Sequence, residues 1–317
     1  MGALTCDICG GRLKIGKGKI AICENCGMEH SVERVREKIQ EVKGTVHVDS
    51  AHLIENFLSM AQDAFSTENY AEAENYCNKV LENDSLHVEA LFLKGKAVGW
   101  QSSLSNFRFN EAAKCFANAI ISTGNDDLKK SLNDEIQDEY RKLSTALVTT
   151  RCNRFKKWPD KEETNGFCND LLEIANAIDM YITRTGMTIN RNNVFSNVTL
   201  IVQSSVSVAV TKIVLPEYEI NGSRSAYNTF VERIDNCVQI LEKTSDLCDD
   251  DDSSDIQIYE FIINMLETVI RCNKSDFISD KWGAFKNIPR LSDYEVHKRQ
   301  IKINELKNKI IMIKRGL

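Results

Sequence analysis

Two Cys-x-x-Cys-Gly units at the N-terminus constrain this chain more than any other feature. Cys6 and Cys9 lie in CDICGG, Cys23 and Cys26 in CENCGM, and 13 residues separate the two units. A two-residue gap lets a tight turn aim both sulfurs at one tetrahedral ion about 2.3 Å from each. A glycine just after the second cysteine lets the backbone turn back past that ion. Gly10 and Gly27 hold these places. Between the units, Arg12-Leu-Lys-Ile15 and Lys19-Ile-Ala-Ile22 alternate around a Gly-Lys-Gly turn, which predicts a β-hairpin. A redox Cys-x-x-Cys would occur once, ahead of a helix in an α/β pattern. Four thiolates leave no open coordination position, so the expected ion is one structural Zn²⁺, with iron chemically admissible at the same ligands. His30, four residues past Cys26, is expected to be a surface histidine outside the ligand set.

Over about residues 5–30 this arrangement resembles a zinc ribbon, a two-knuckle hairpin found in transcription-related and many other proteins. Arg12, Lys14, Lys17 and Lys19 give the hairpin four cations and no acid, a candidate nucleic-acid contact through phosphates. No aromatic accompanies them for base stacking, so an ordinary solvated hairpin is the competing expectation.

Glycine and proline set the rest of the chain apart. Seven of the 15 glycines fall in the first 44 residues, and the prolines are only Pro159, Pro216 and Pro289. A body so poor in breakers predicts helices. After a short helix from Ser31 and an extended linker, helical patterns cover 126–158, 161–184, 190–215, 223–247, 254–272 and 291–316. The last opens with a capping box, Ser292-Asp-Tyr-Glu295, and sets Ile301, Leu306, Ile310 and Ile313 as an apolar stripe against a lysine-rich face. Residues 281–317 carry ten basic and three acidic groups, whereas the preceding body is acidic. The basic tail is expected to be drawn to that body rather than to RNA or an anionic membrane, and no membrane partner is expected.

Residues 51–124 contain an internal repeat. A 34-residue shift aligns Phe57 with Leu91, Ala61 with Gly95 and Ala64 with Val98; a 39-residue shift aligns Tyr70 with Phe109, Ala73 with Ala112 and Cys77 with Phe116. The difference is an insertion in the second turn, near Ser102–Arg108. These residues resemble two tetratricopeptide repeats, spanning about 51–84 and 85–124; two ordinary helical hairpins obey the same packing logic. Glu68 replaces the usual turn glycine and Ser85 the usual final proline. The resemblance implies a groove lined from the first helix of each repeat by Glu55, Leu58, Gln62, Phe65, Glu89, Phe92, Lys96 and Gly99. It takes a protein or peptide partner, or a helix from elsewhere in the chain. Trp100 belongs to this groove or packs under the inserted turn.

No phosphate-binding glycine loop, nucleophile elbow or His-Glu-x-x-His appears, and the five histidines are dispersed. The most apolar stretch, Val198–Leu215, is interrupted by Gln203, serines and Lys212, so no membrane span is expected. With no export signal, the seven other cysteines are expected to be core thiols in a cytoplasmic protein. The expected fold is mostly α. A zinc ribbon (1–30), a connecting helix and linker (31–50), two TPR-like hairpins (51–124) and a further helical domain ending in a basic helix (125–317) follow in order. The order of modules resembles bacterial zinc-ribbon plus tetratricopeptide proteins. The functional expectation is a non-enzymatic protein-interaction scaffold, with a nucleic-acid-associated factor as the alternative.

Overall fold

The alternation around the glycine turn forms strands. The computed structural model describes residues 6, 9, 11–15, 20–31, 51–248, 253–279 and 285–315. Within them, β1 (Leu13–Ile15) pairs antiparallel with β2 (Ile20–Cys23) in the register Leu13↔Cys23 and Ile15↔Ala21. Period-2 geometry buries Ala21 and Cys23 and leaves Ile22 outside. A third strand, β3 (Glu29–Ser31), pairs with the other edge of β2, giving the order β1-β2-β3. Ser31 therefore closes a strand; the helix expected to begin there lies otherwise outside the described residues.

The body is helical, and its boundaries follow local capping chemistry. Residues 51–66 form α1. Then come α2 (Tyr70–Asn83), α3 (Val88–Trp100), α4 (Phe109–Ser122), α5 (Asp126–Phe155), α6 (Lys161–Thr185) and α7 (Arg191–Ala209). Asn69, Asn125, Asp160 and Asn190 cap α2, α5, α6 and α7 by accepting backbone N–H groups of the first turn. Gly186, at φ 69°, ends α6 in the left-handed conformation that glycine adopts without strain.

The helix expected to stop before Pro216 instead continues. A π-helical turn, Val210–Val214, joins α7 to α8 (Leu215–Asn221). A proline cannot donate its backbone bond and crowds the carbonyl four residues back, and a wider turn relieves both. Helix Arg191–Asn221 is by length and composition apolar enough to cross a membrane, with mean hydropathy 1.8 over its best window. Here Val194, Phe195, Val198, Val202, Val206 and Val214 are buried in the protein core.

Beyond lie α9 (Arg224–Ser245), α10 (Ser253–Arg271), a hairpin of β4 (Ser275–Ser279) and β5 (Phe285–Pro289), and α11 (Asp293–Arg315). Among its described side chains the hairpin has none buried (Phe277 is 75% exposed), so no inside-outside alternation marked it in the sequence. The capping box at α11 forms: Ser292 Oγ accepts from Glu295 N at 3.2 Å, and Glu295 Oε2 accepts from Ser292 N at 3.0 Å. On α11 the expected Leu306 and Ile310 are buried and Ile313 packs against the core, but Ile303 takes the place expected for Ile301, which is exposed. Its cations meet the acidic body as anticipated: Arg299 pairs with Asp235, Lys302 with Glu242, Lys307 with Glu267 and Lys314 with Glu260.

One hydrophobic cluster runs continuously from Val98 and Phe109 to Ile310. It forms because α4 packs on α6, α5 on α7, α6 on α9 and α10 on α11. Two small clusters, Ala61 with Cys77 and Leu93, and Ala64 with Ala73 and Ala97, tie α1 and α2 to α3. Small residues mark close helix crossings. A Cβ on Gly95 would lie 2.5 Å from the Phe116 ring, and one on Gly99 would lie 2.5 Å from Leu143.

Two local features of the hairpins give direct tests. Glu68 ends α1 at φ 61°, the only positive φ of a non-glycine residue among those described. A side chain there costs about 1–2 kcal/mol, of which glycine's entropy returns part. Glu68→Gly is therefore expected to stabilise the protein by about 0.5–1 kcal/mol in urea denaturation. In the inserted turn, Arg108 donates to both Glu74 oxygens at 2.8 and 3.0 Å, and Gln101 adds a third bond at 2.8 Å. Arg108 holds the Glu74 carboxyl below its ordinary 4.5. The unfolded state therefore binds the proton first, and this stabilisation is complete above pH 4.5 and lost as pH falls through the folded value. Glu74→Gln is expected to remove that part of the acid dependence; an unchanged acid limb in denaturation curves would count against the clamp.

Candidate metal centre and groove

The sulfur geometry follows from two knuckles brought together by the β1–β2 register. The Cys23 carbonyl accepts from Gly27 N at 3.0 Å, closing a tight turn, and Gly27 takes φ 71°. Cys23 N donates to Met28 O at 3.0 Å, and Cys6 N donates to Gly11 O at 2.8 Å across the other knuckle. The Sγ atoms of Cys6, Cys9, Cys23 and Cys26 all lie within 4.8 Å of one another. Cys6 and Cys26 stand 3.7 Å apart, Cys9 and Cys23 3.5 Å. Ligands about 2.3 Å from a tetrahedral centre are about 3.8 Å apart, so these edges fit one ion.

Gly11 is the glycine that sequence spacing did not single out. A Cβ there would stand 2.6 Å from Asn25 Cβ and 3.0 Å from Cys23 Sγ, so only glycine leaves room for the second knuckle. Gly10 lies outside the described residues. Cys6 and Cys23 are buried, whereas Cys9 and Cys26 face solvent. The amides of Cys26 and Asn25 favour the thiolate of Cys23 and lower its pKa. The Met28 amide does the same for Cys26, but its three sulfur neighbours and burial outweigh it and push Cys26 up to about 12. Crowded thiols resist losing several protons at once, and a divalent cation between them reverses that balance.

His30 is not the surface residue expected from its spacing. It lies opposite Ala21 on β3 and is only 8% exposed, with Nε2 3.2 Å from Cys6 Sγ. Nothing in the sequence marked β3, whose pairing alone brings His30 to the sulfur. Of the other cysteines, Cys77, Cys152 and Cys237 are buried, and burial pushes their thiols up to about 12, 11 and 12. All eleven are free of disulfides.

On the hairpin, Arg12 is exposed and Lys14 lies 3.7 Å from Glu24; Lys17 and Lys19 fall outside the described residues.

The anticipated groove residues come together in part. Gln62 and Phe65 from α1, Glu89, Phe92 and Lys96 from α3, and Leu132 and Glu135 from α5 line an open cavity of about 570 Å³. Lys96 Nζ stands 4.6 Å from the Phe65 ring centre and 5.4 Å from that of Phe92, bridging the two walls. Gln62 donates to Glu89 at 2.6 Å. Leu58, one turn earlier on α1, does not line this cavity, and Gly99 is turned to Leu143 instead. Trp100 stacks 5.9 Å from Tyr70 and donates to Glu139 at 2.6 Å, so it packs under the neighbouring helices. Leu132 and Glu135 were not anticipated, because α5 reaches the groove only through tertiary packing. No family model matches the sequence, and no curated protein matches it.

Proposed function

We propose that the four cysteines hold one structural Zn²⁺ and that the chain is a non-enzymatic protein-interaction scaffold. Four clustered thiolates would fill a tetrahedral coordination shell and leave no position for substrate, which supports a structural role. The observation that carries the interaction reading is the groove between α1, α3 and α5. It offers apolar and aromatic walls, a positioned cation and flanking carboxylates, the mixture that receives an amphipathic helix or extended peptide. The paired small residues Ala61 and Gly95, and Ala73 and Ala112, support a TPR-like reading of α1–α4. Eleven unbridged cysteines suit a reducing compartment such as the cytoplasm. The nucleic-acid alternative draws less support, because Arg299, Lys302, Lys307 and Lys314 are engaged by acids of α9 and α10.

Elemental analysis of the purified chain is expected to return one zinc per molecule; iron would change the metal assignment. A photo-crosslinker at Gln62 is expected to capture a protein partner in native extract. Lys96→Glu should abolish that capture with an unchanged melting temperature. Equal capture by the variant would remove the groove from the reading.

A further inference from the structure

We infer that His30 is a positioning residue of the metal centre: its Nε2–H donates to the Cys6 thiolate and strengthens the hold of the cysteine quartet on its ion. The inference rests on the metal reading of the four cysteines and assigns a role to a fifth side chain.

The two buried sulfurs of the quartet are the ones that lack bulk water to solvate their charge. Each has an N–H source within the fold. Asn25 N lies 3.4 Å from Cys23 Sγ, and His30 Nε2 lies 3.2 Å from Cys6 Sγ. A thiolate bound to a metal accepts hydrogen bonds and cannot donate one, so the imidazole must be the donor in this contact. Four thiolates around one divalent cation carry two surplus negative charges. Donors to sulfur spread that charge and fix the rotamers of the ligands. The solvent-facing Cys9 and Cys26 can obtain the same help from water.

Position also separates a donor from a ligand. The four Sγ atoms lie within 4.8 Å of one another, and two of their separations, 3.7 and 3.5 Å, match a tetrahedral edge. His30 falls outside that set of mutually close ligand atoms, on a strand paired with β2, and it is buried at 8% exposure in a module too small to bury many polar groups without reason. A buried imidazole with an anionic neighbour is an orienting contact of the kind that surrounds metal ligands.

Zinc affinity of the full chain, measured by competition with a chromophoric chelator, tests the inference. His30→Ala is expected to weaken binding by about 10- to 100-fold while stoichiometry at saturating zinc stays at one. His30→Gln keeps an N–H donor and is expected to recover most of the loss. X-ray absorption of the wild-type zinc complex should show four sulfur ligands. Equal affinity of wild type and His30→Ala would overturn the inference alone, as would a glutamine variant as weak as alanine, which would point to packing. Three sulfurs and one nitrogen would make His30 a ligand and overturn it too. A wild-type chain that binds no zinc would instead sink the metal reading, and the inference with it.

Discussion

Replacing Cys23 by serine is expected to abolish stoichiometric metal binding and to unfold the three-stranded sheet, while the melting transition of the helical body stays in place. Cys23 ends β2, is 2% exposed, and sits 3.5 Å from Cys9 with the Asn25 amide turned toward its sulfur. Serine cannot supply a thiolate, and three ligands with a buried hydroxyl do not hold a structural zinc. Among the described side chains of this N-terminal module, the buried hydrophobic ones are small, Cys6, Ala21 and Cys23. Metal binding in modules of this size supplies folding energy on the order of 10 kcal/mol. Elemental analysis and amide dispersion in NMR spectra would report the loss. Cys115→Ser, in the helical body, serves as the control and should keep one metal per chain. A Cys23→Ser protein that retained full metal would show that this residue is not a ligand.

Arg151→Met is expected to cost about 3–5 kcal/mol in urea denaturation at neutral pH. The Arg151 side chain is 8% exposed and lies between two acids of α6: its Nε donates to Asp170 at 2.7 Å and its Nη1 to Glu163 at 3.2 Å. Gly166 makes the room, since a Cβ there would stand 2.8 Å from Nη1. Arg154 also pairs with Glu163, so the loss falls chiefly on Asp170. Burial already pushes the Asp170 carboxyl upward, although Arg151 pulls it back. Without the guanidinium a buried carboxylate has no counter-charge. A group whose folded pKa is raised binds its proton more readily when folded, so the variant should regain relative stability as pH falls. Adding Asp170→Asn should recover much of the loss; strict additivity of the two changes would show that they do not act as a pair.

Much of this architecture was legible before any coordinates. The boundaries expected at 126, 161, 190, 223 and 291 agree with those found to within two residues. Asn125, Asp160, Asn190, Ser223 and Ser292 announce the following helices through bonds spanning two or three residues. The repeat of small residues at 61, 95, 73 and 112 likewise located close helix crossings, all four of them buried. What escaped the sequence depends on distant pairing. β3 has three residues and no alternation to declare it. The β4–β5 hairpin exposes Phe277, Ile278 and Ile288, and the helix through Pro216 continues through a widened turn. Leu132 and Glu135 enter the groove because of where α5 packs.

By itself the sequence determined the four-cysteine cluster, the mostly helical body and the segments that form it. Spacing along a chain encodes what a tight turn, a cap or one helical face requires, and those are local demands. Tertiary structure decided that Gly11 must stay a glycine, that His30 lies against Cys6, and that four cations of the last helix pair with acids of α9 and α10. Each depends on a partner roughly fourteen to sixty residues away, whose approach is fixed by strand register and core packing rather than by any pattern in the neighbouring residues.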